Sequence, residues 1–119
     1  MKFERSIPIR CKSEEAFVFL RDKDQFQQEP GSPVLVLEKT TPGPVGVGTC
    51  YREVVQMFPL IKGEILSIVK RYEPPRYLEE SFRGNGMDGY LAYEFISVNE
   101  GTLLVQRETI QFHGLFGLL

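Results

Sequence analysis

Apolar and polar positions alternate over most of this chain, the period-two pattern of strands with one face buried. From Lys2 to Cys11 the residues Phe3, Ile7, Ile9 and Cys11 fall on one side. Pro8 has no N–H to give a ladder, so this strand belongs at a sheet edge. The period then changes. Ser13 offers an N-cap, Glu14 and Glu15 suit the positive end of a helix dipole, and Ala16, Phe17 and Leu20 make an apolar stripe. A short helix is predicted here, with another turn around Asp24 to Gln28. Glu29-Pro30-Gly31-Ser32-Pro33 breaks it, and alternation resumes over Val34 to Glu38. Five further strands follow: Thr49 to Phe58, Ile61 to Tyr72, Arg76 to Arg83, Gly89 to Val98 and Thr102 to Phe112. Their connections are short and rich in Gly, Pro, Asn and Asp, so consecutive strands are antiparallel neighbours. The expected fold is α+β, a curved seven-stranded antiparallel sheet forming a single domain over residues 1–119.

Composition removes several functions. Fourteen Lys and Arg against 16 Asp and Glu leave no basic stripe, so nucleic acid is not an expected partner. The start, Met1-Lys2-Phe3-Glu4-Arg5, lacks the apolar run of a signal peptide, and no segment reaches the ~20 apolar residues of a membrane span. A cytoplasmic protein is expected. Cys11 and Cys50 have no metal-ligand or CxxC spacing and are expected to be free thiols. His113 is the single histidine, so no zinc site is expected. The loop from Thr41 to Thr49 is rich in Gly and Pro, but no Lys-Ser or Lys-Thr follows it and its glycine spacing fits neither nucleotide fingerprint. It reads as a turn that sets up the next strand. No metal or cofactor is expected.

Three local features resemble a known superfamily. Gly43-Pro44-Val45-Gly46-Val47-Gly48-Thr49-Cys50-Tyr51 resembles a glycine loop entering a strand, Tyr72-Glu73-Pro74-Pro75-Arg76 a proline hairpin, and Val98-Asn99-Glu100-Gly101-Thr102 a Gly-Thr turn before a last strand. Together with the order of strand, helix and six strands, they resemble the START-like helix-grip superfamily (SRPBCC), in its polyketide cyclase/dehydrase and lipid-transport branch. The resemblance implies the strand order 1-7-6-5-4-3-2 gripping a long C-terminal helix, with an apolar cavity between. It implies no catalytic motif. The chain ends in the apolar stretch His113 to Leu119, so only the opening of that helix is expected, and a truncated helix leaves the concave face to a ligand or to a second copy in a homodimer. Phe112, Leu115, Phe116, Leu118 and Leu119 read either as that helix opening or as a partner-binding patch.

The turns also predict a register. A three-residue Asn99-Glu100-Gly101 loop sets Val98 opposite Thr102, Phe95 opposite Val105 and Tyr93 opposite Arg107. A four-residue Asn85–Asp88 loop sets Phe82 against Leu91 and Glu80 against Tyr93. A Tyr72–Pro75 turn sets Val69 against Leu78 and Ser67 against Glu80, and the Pro59 turn sets Tyr51 near Ser67. The predicted cavity wall is then Thr49, Val69, Leu78, Phe95, Val105; Tyr51, Ser67, Glu80, Tyr93, Arg107; and Glu53, Ile65, Phe82, Leu91, Thr109. Arg52, Gln56, Lys62, Glu64, Lys70, Glu79, Glu94, Gln106 and Glu108 go to the solvent face.

The middle row is a polar band on an apolar wall, the usual way a pocket orients a ligand. The expected ligand-binding residues are Tyr51, Glu53, Ser67, Leu78, Phe82, Leu91, Phe95 and Val105. If the protein is an enzyme, Glu80 is the candidate acid or base, with Tyr93 donating to an oxyanion and Arg107 beside them. Glu80 and Arg107 can equally satisfy each other as a structural pair, and Glu53 can be a pocket carboxylate or lie at an open rim. Arg71 and Arg76 flank the proline hairpin as solvated side chains or as a grip on an anion. The expected function is binding of an apolar or aromatic small molecule, lipid-like or polyketide-like. The alternatives are an aromatic cyclase/dehydrase using acid-base chemistry, and a protein-interaction module.

Overall fold

A computed structural model describes residues 1–25, 31–59 and 61–114, leaving out the side chains of residues 57 and 58. Strand β1 (Lys2–Ile9) leads to helix α1 (Ser13–Arg21) and a 3-10 turn, η1 (Lys23–Gln25). Then come β2 (Val34–Lys39), β3 (Cys50–Phe58), β4 (Ile61–Glu73), β5 (Tyr77–Gly84), β6 (Met87–Val98) and β7 (Gly101–Phe112). They form one antiparallel sheet ordered β1-β7-β6-β5-β4-β3-β2, the order that the resemblance implies. Pro8 lies on the edge strand β1, as its missing N–H requires. The apolar stretch read as the opening of a C-terminal helix lies, from Leu115 on, outside the described residues, as do Phe26 to Gln28 of the expected second turn.

The sheet has two unequal faces. On the inner face α1 lays Phe17 against Phe95 and Tyr72, with ring centroids 5.3 and 5.4 Å apart in tilted and edge-on geometry. Phe17, Val69, Leu78 and Phe95 are all buried, and Ala16, Leu104 and Tyr51 complete the core. Ser13 does not cap α1. Lys12 holds the N-cap position without a side-chain bond, and the Ser13 hydroxyl meets Ser97 Oγ at 2.9 Å and Thr102 Oγ1 at 3.1 Å. Thr102 in turn donates to the Cys11 carbonyl at 2.8 Å, so this hydroxyl chain ties α1 to β6, β7 and the end of β1. A buried polar chain of this kind holds position because every member has a partner.

Register departs from the prediction in an instructive way. The β5–β6 loop is two residues, with Gly84 opposite Met87, so Phe82 faces Gly89 and Glu80 faces Leu91. Between β4 and β5 the turn closes with Glu73 opposite Tyr77, and a bulge at Lys70 takes one residue back, which puts Ser67 opposite Phe82 and Val69 opposite Glu80. Both pairings sit two residues from the predicted ones, which preserves the face. The β6–β7 loop differs by one. Gly101, with φ 143°, joins the strand opposite Val98, which leaves a two-residue loop and turns β7 over. Leu104, Gln106 and Glu108 therefore line the inner face, opposite Phe95, Tyr93 and Leu91. Val105, Arg107 and Thr109, expected on the wall, lie on the outer face, and Gln106 and Glu108, expected in solvent, lie on the inner one. Gly101 is needed there because a Cβ would sit 2.2 Å from the Ile9 carbonyl oxygen.

Candidate functional site

Beyond the end of the sheet covered by α1, the inner wall is apolar with one group of polar side chains in it. Three consecutive rows are read from the strand pairing. The first runs Gln106, Tyr93, Leu78; the second Glu108, Leu91, Glu80, Val69; the third Gly89, Phe82, Ser67, Tyr51. Gly89 lets the third row close up: a Cβ there would lie 1.9 Å from the Thr109 carbonyl oxygen and 2.9 Å from the end of the Phe82 ring. Beside that row Glu53 and Ile65 face each other across β3 and β4.

Charge on this wall is organised by a residue from outside the sheet. Lys23, in η1, donates to both oxygens of Glu80 at 2.8 and 2.7 Å, and its Nζ lies 4.6 Å from the centroid of the Tyr51 ring. The Glu80 side chain is 4 % exposed and that of Lys23 26 %, so the pair sits at the seam between core and wall. Tyr51 donates its hydroxyl to the Arg21 carbonyl at 3.3 Å, which ties the end of α1 to β3. Burial raises the Tyr51 phenol, and the nearby charges of Glu80, Asp24 and Asp22 raise it further. Burial likewise pushes Glu53 above the ordinary carboxylate range; Lys23 pulls it back and Glu80 adds to the rise. Glu108 is raised by burial alone.

Tyr93 is the group left available. Burial first, then the negative charges of Glu80, Glu108 and Glu53, drive its phenol well above the usual value, with Arg5 opposing. It is therefore a neutral O–H donor at any physiological pH. Among the described residues its hydroxyl has no hydrogen-bond partner. A depression of about 360 Å³ opens nearby, at the border of β1 and β7, lined by Phe3, Glu4, Arg5, Gln106 and Glu108.

The structure thus brings together on one face Tyr51, Glu53, Ser67, Leu78, Glu80, Phe82, Leu91, Tyr93 and Phe95. It does not place Arg107 or Val105 with them. Arg107 is on the outer face, 3.1 Å from Glu94 and 3.4 Å from Glu4, and Val105, 5 % exposed, is packed there in register with Ser6 and Glu94. The expected Glu80–Arg107 pair is replaced by Glu80–Lys23. Sequence reading missed Lys23, Gln106 and Glu108. The last two had a signal, since alternation fixes their face once Gly101 is counted into β7, whereas nothing local to Lys23 announces its reach of 57 positions to Glu80. Arg71 pairs with Glu73 at 2.6 Å and stacks on Tyr77, so it is a satisfied turn arginine. His113 meets Asp88 at 3.0 Å on the outer side. Among the described residues no His, Cys, Asp and Glu cluster has the makings of a metal site, and both cysteines are free.

No family model matches the chain, and no curated protein matches it in sequence. Solved structures do match. The Zhui aromatase/cyclase from Streptomyces sp. R1128 superposes with a TM-score of 0.78 at 12% identity, covering 96% of this chain and 69% of its own. An uncharacterized protein from Rhizobium leguminosarum gives 0.78 at 12% identity, covering 94% and 77%, and a protein of unknown function from Staphylococcus aureus gives 0.73 at 16%, covering 96% and 72%. At such identities the likeness speaks for architecture. The chain has an α+β helix-grip fold.

Proposed function

We propose that the inner face binds an apolar or aromatic small molecule, oriented by a hydrogen bond from Tyr93. The observation that carries this reading is a half-buried phenol, without a partner among the described residues, set among Leu78, Leu91 and Phe95. The hydroxyl is not sealed from solvent, so a ligand acceptor there replaces a bond to water, a net gain of about 0.5–1.5 kcal/mol. Lys23 and Glu80 neutralise each other at the wall's edge, so the centre stays free for apolar contact. The ligand is lipid-like or polyketide-like in the sense of a large apolar body with a few oxygens.

The test is binding of the neutral dye N-phenyl-1-naphthylamine by fluorescence. Leu91→Arg, which sets a cation opposite Glu80 and Glu108, should abolish the signal while the far-UV spectrum is retained; undiminished binding by this variant would refute the assigned wall. Sedimentation of the same samples separates two ways of covering the face. A dye-binding monomer supports the ligand reading, and a dimer that excludes dye supports self-association as a homodimer instead.

A second reading rests on the likeness to an aromatase/cyclase. Glu53 and Glu108 carry raised pKa values and Tyr93 can donate to an oxyanion, which is the equipment of acid-base cyclisation or dehydration. Turnover of a polyketide-like substrate that falls in both Tyr93→Phe and Glu53→Gln would select it over simple carriage. In either case we place the protein in the cytoplasm, in keeping with its two free thiols.

A further inference from the structure

The outer face carries a depression of about 740 Å³, within the range of small-molecule sites. Two register rows of the sheet form most of it. Leu66, Arg83 and Asp88 lie in one, and Ile68, Ser81 and Tyr90 in the next. Leu66 is 38% exposed and Tyr90 57%, apolar surface beside the ion pairs that cross this face. Arg52 is held by Glu38 and Glu64, Arg71 by Glu73, and Arg107 by Glu4 and Glu94. Arg83 differs from these three. Among the described residues no carboxylate pairs with it, because Asp88, directly opposite in register, is engaged by His113 Nε2 at 3.0 Å. The Ser81 hydroxyl beside it is also without a partner among the described residues.

An unpaired guanidinium next to an aliphatic and aromatic floor selects for a particular chemistry. Arginine's planar fork matches a carboxylate with two parallel hydrogen bonds, and an extended ring system stacks on a tyrosine face and packs on aliphatic side chains. We propose that this depression, which Tyr51, Ser67, Phe82 and Gly89 of the third inner row also border, is a second ligand site on the outer face that takes a planar aromatic carboxylate. Its ring lies over Leu66, Ile68 and Tyr90, and its carboxylate meets Arg83 with Ser81 as an added donor. Cys50 lines the same depression at the β3 side, half-buried, whereas Cys11 lies at the end of β1 beside the core. The chain therefore contains a built-in reporter and a built-in control.

The experiment uses 2-naphthoate and its neutral counterpart 2-naphthamide with the intact protein. Calorimetric titration should show naphthoate bound at least about tenfold more tightly than naphthamide, the scale of one charge-assisted hydrogen bond, and Arg83→Gln should erase that preference. Naphthoate should also slow alkylation of Cys50 by N-ethylmaleimide while leaving Cys11 unchanged. Equal affinity for the two probes, or for wild type and Arg83→Gln, overturns the proposal, as does an unprotected Cys50. Naphthoate binding that Leu91→Arg alters and Arg83→Gln does not assigns the probe to the inner wall. That result refutes the outer site and leaves the inner-face reading intact. Loss of dye binding at the inner wall, with the naphthoate preference retained, does the reverse.

Discussion

Replacing Lys23 by Met tests whether the inner wall depends on a charge supplied from η1. Glu80 is 3% exposed, and among the described residues its carboxylate receives two hydrogen bonds, both from Lys23, at 2.8 and 2.7 Å. Removing one partner of a buried pair costs about 3–5 kcal/mol, because the remaining charge is left without compensation. Lys23 itself is about a quarter exposed, so water can enter where its ammonium was, and the figure is discounted below that range, to ~2–3 kcal/mol. Loss of the ammonium's contact with the Tyr51 ring adds about 0.5–1 kcal/mol. Urea denaturation followed by circular dichroism reads the total directly. The double variant Lys23→Met with Glu80→Gln separates the causes: if an uncompensated charge is the source, it should recover more than half of the loss. A single variant within about 0.5 kcal/mol of wild type, the range of ordinary surface substitutions, would show that Glu80 does not rely on Lys23.

Gly89→Ala should destabilise the fold by more than about 3 kcal/mol, since its Cβ would fall 1.9 Å from a main-chain oxygen that cannot swing away, while Gly46→Ala, with open space around it, should be near neutral in the same thermal melts. Equal effects at the two sites would refute the close approach of β6 and β7 at Gly89. For Glu53 the sign follows from its raised folded-state pKa: the folded chain holds the proton longer than the unfolded one, so stability falls as pH rises from the ordinary 4.5 through the raised value. Glu53→Gln should flatten the urea midpoint against pH over that interval, and an unchanged slope would mean that Glu53 stays solvated in the folded state.

Most of the fold was legible because alternation and turn chemistry agree along the chain. Pro8 marked an edge, the seven strands appeared within one or two residues of their observed limits, and Tyr51 faces Ser67 as the Pro59 turn predicts. The wall was legible only as far as parity survived. An error of two residues at Asn85–Asp88 moved partners along a strand and left Phe82, Glu80 and Leu91 on the same side. One residue at Gly101 exchanged Arg107 for Gln106 and Glu108, because side chains alternate with a period of two. What decided that residue was contact rather than local propensity. Gly101 enters β7 while approaching the Ile9 backbone from a strand more than 90 positions away, and no pattern around Asn99 to Thr102 encodes that approach.

The chemistry of the site was harder to read for a related reason. A sheet announces its faces through alternation, but an ion pair between a loop and a strand has no period. Lys23 stands between Asp22 and Asp24, where local reasoning makes it a solvated charge, and its partner is chosen when α1 docks through Phe17 and the Ser13–Ser97–Thr102 hydroxyls. Docking settles the roles of the carboxylates as well. Glu80 is spent on Lys23, and Glu53 and Glu108 are left with raised pKa values around a phenol without a partner among the described residues. The polar band foreseen on the wall is therefore present with a different division of labour. Its neutral donor is Tyr93, on which the negative charges of Glu80, Glu108 and Glu53 act, with Arg5 opposing. A ligand oxygen that accepts from Tyr93 is accommodated without an ionised carboxylate of its own, while the outer face, where no carboxylate among the described residues pairs with Arg83, suits the opposite chemistry.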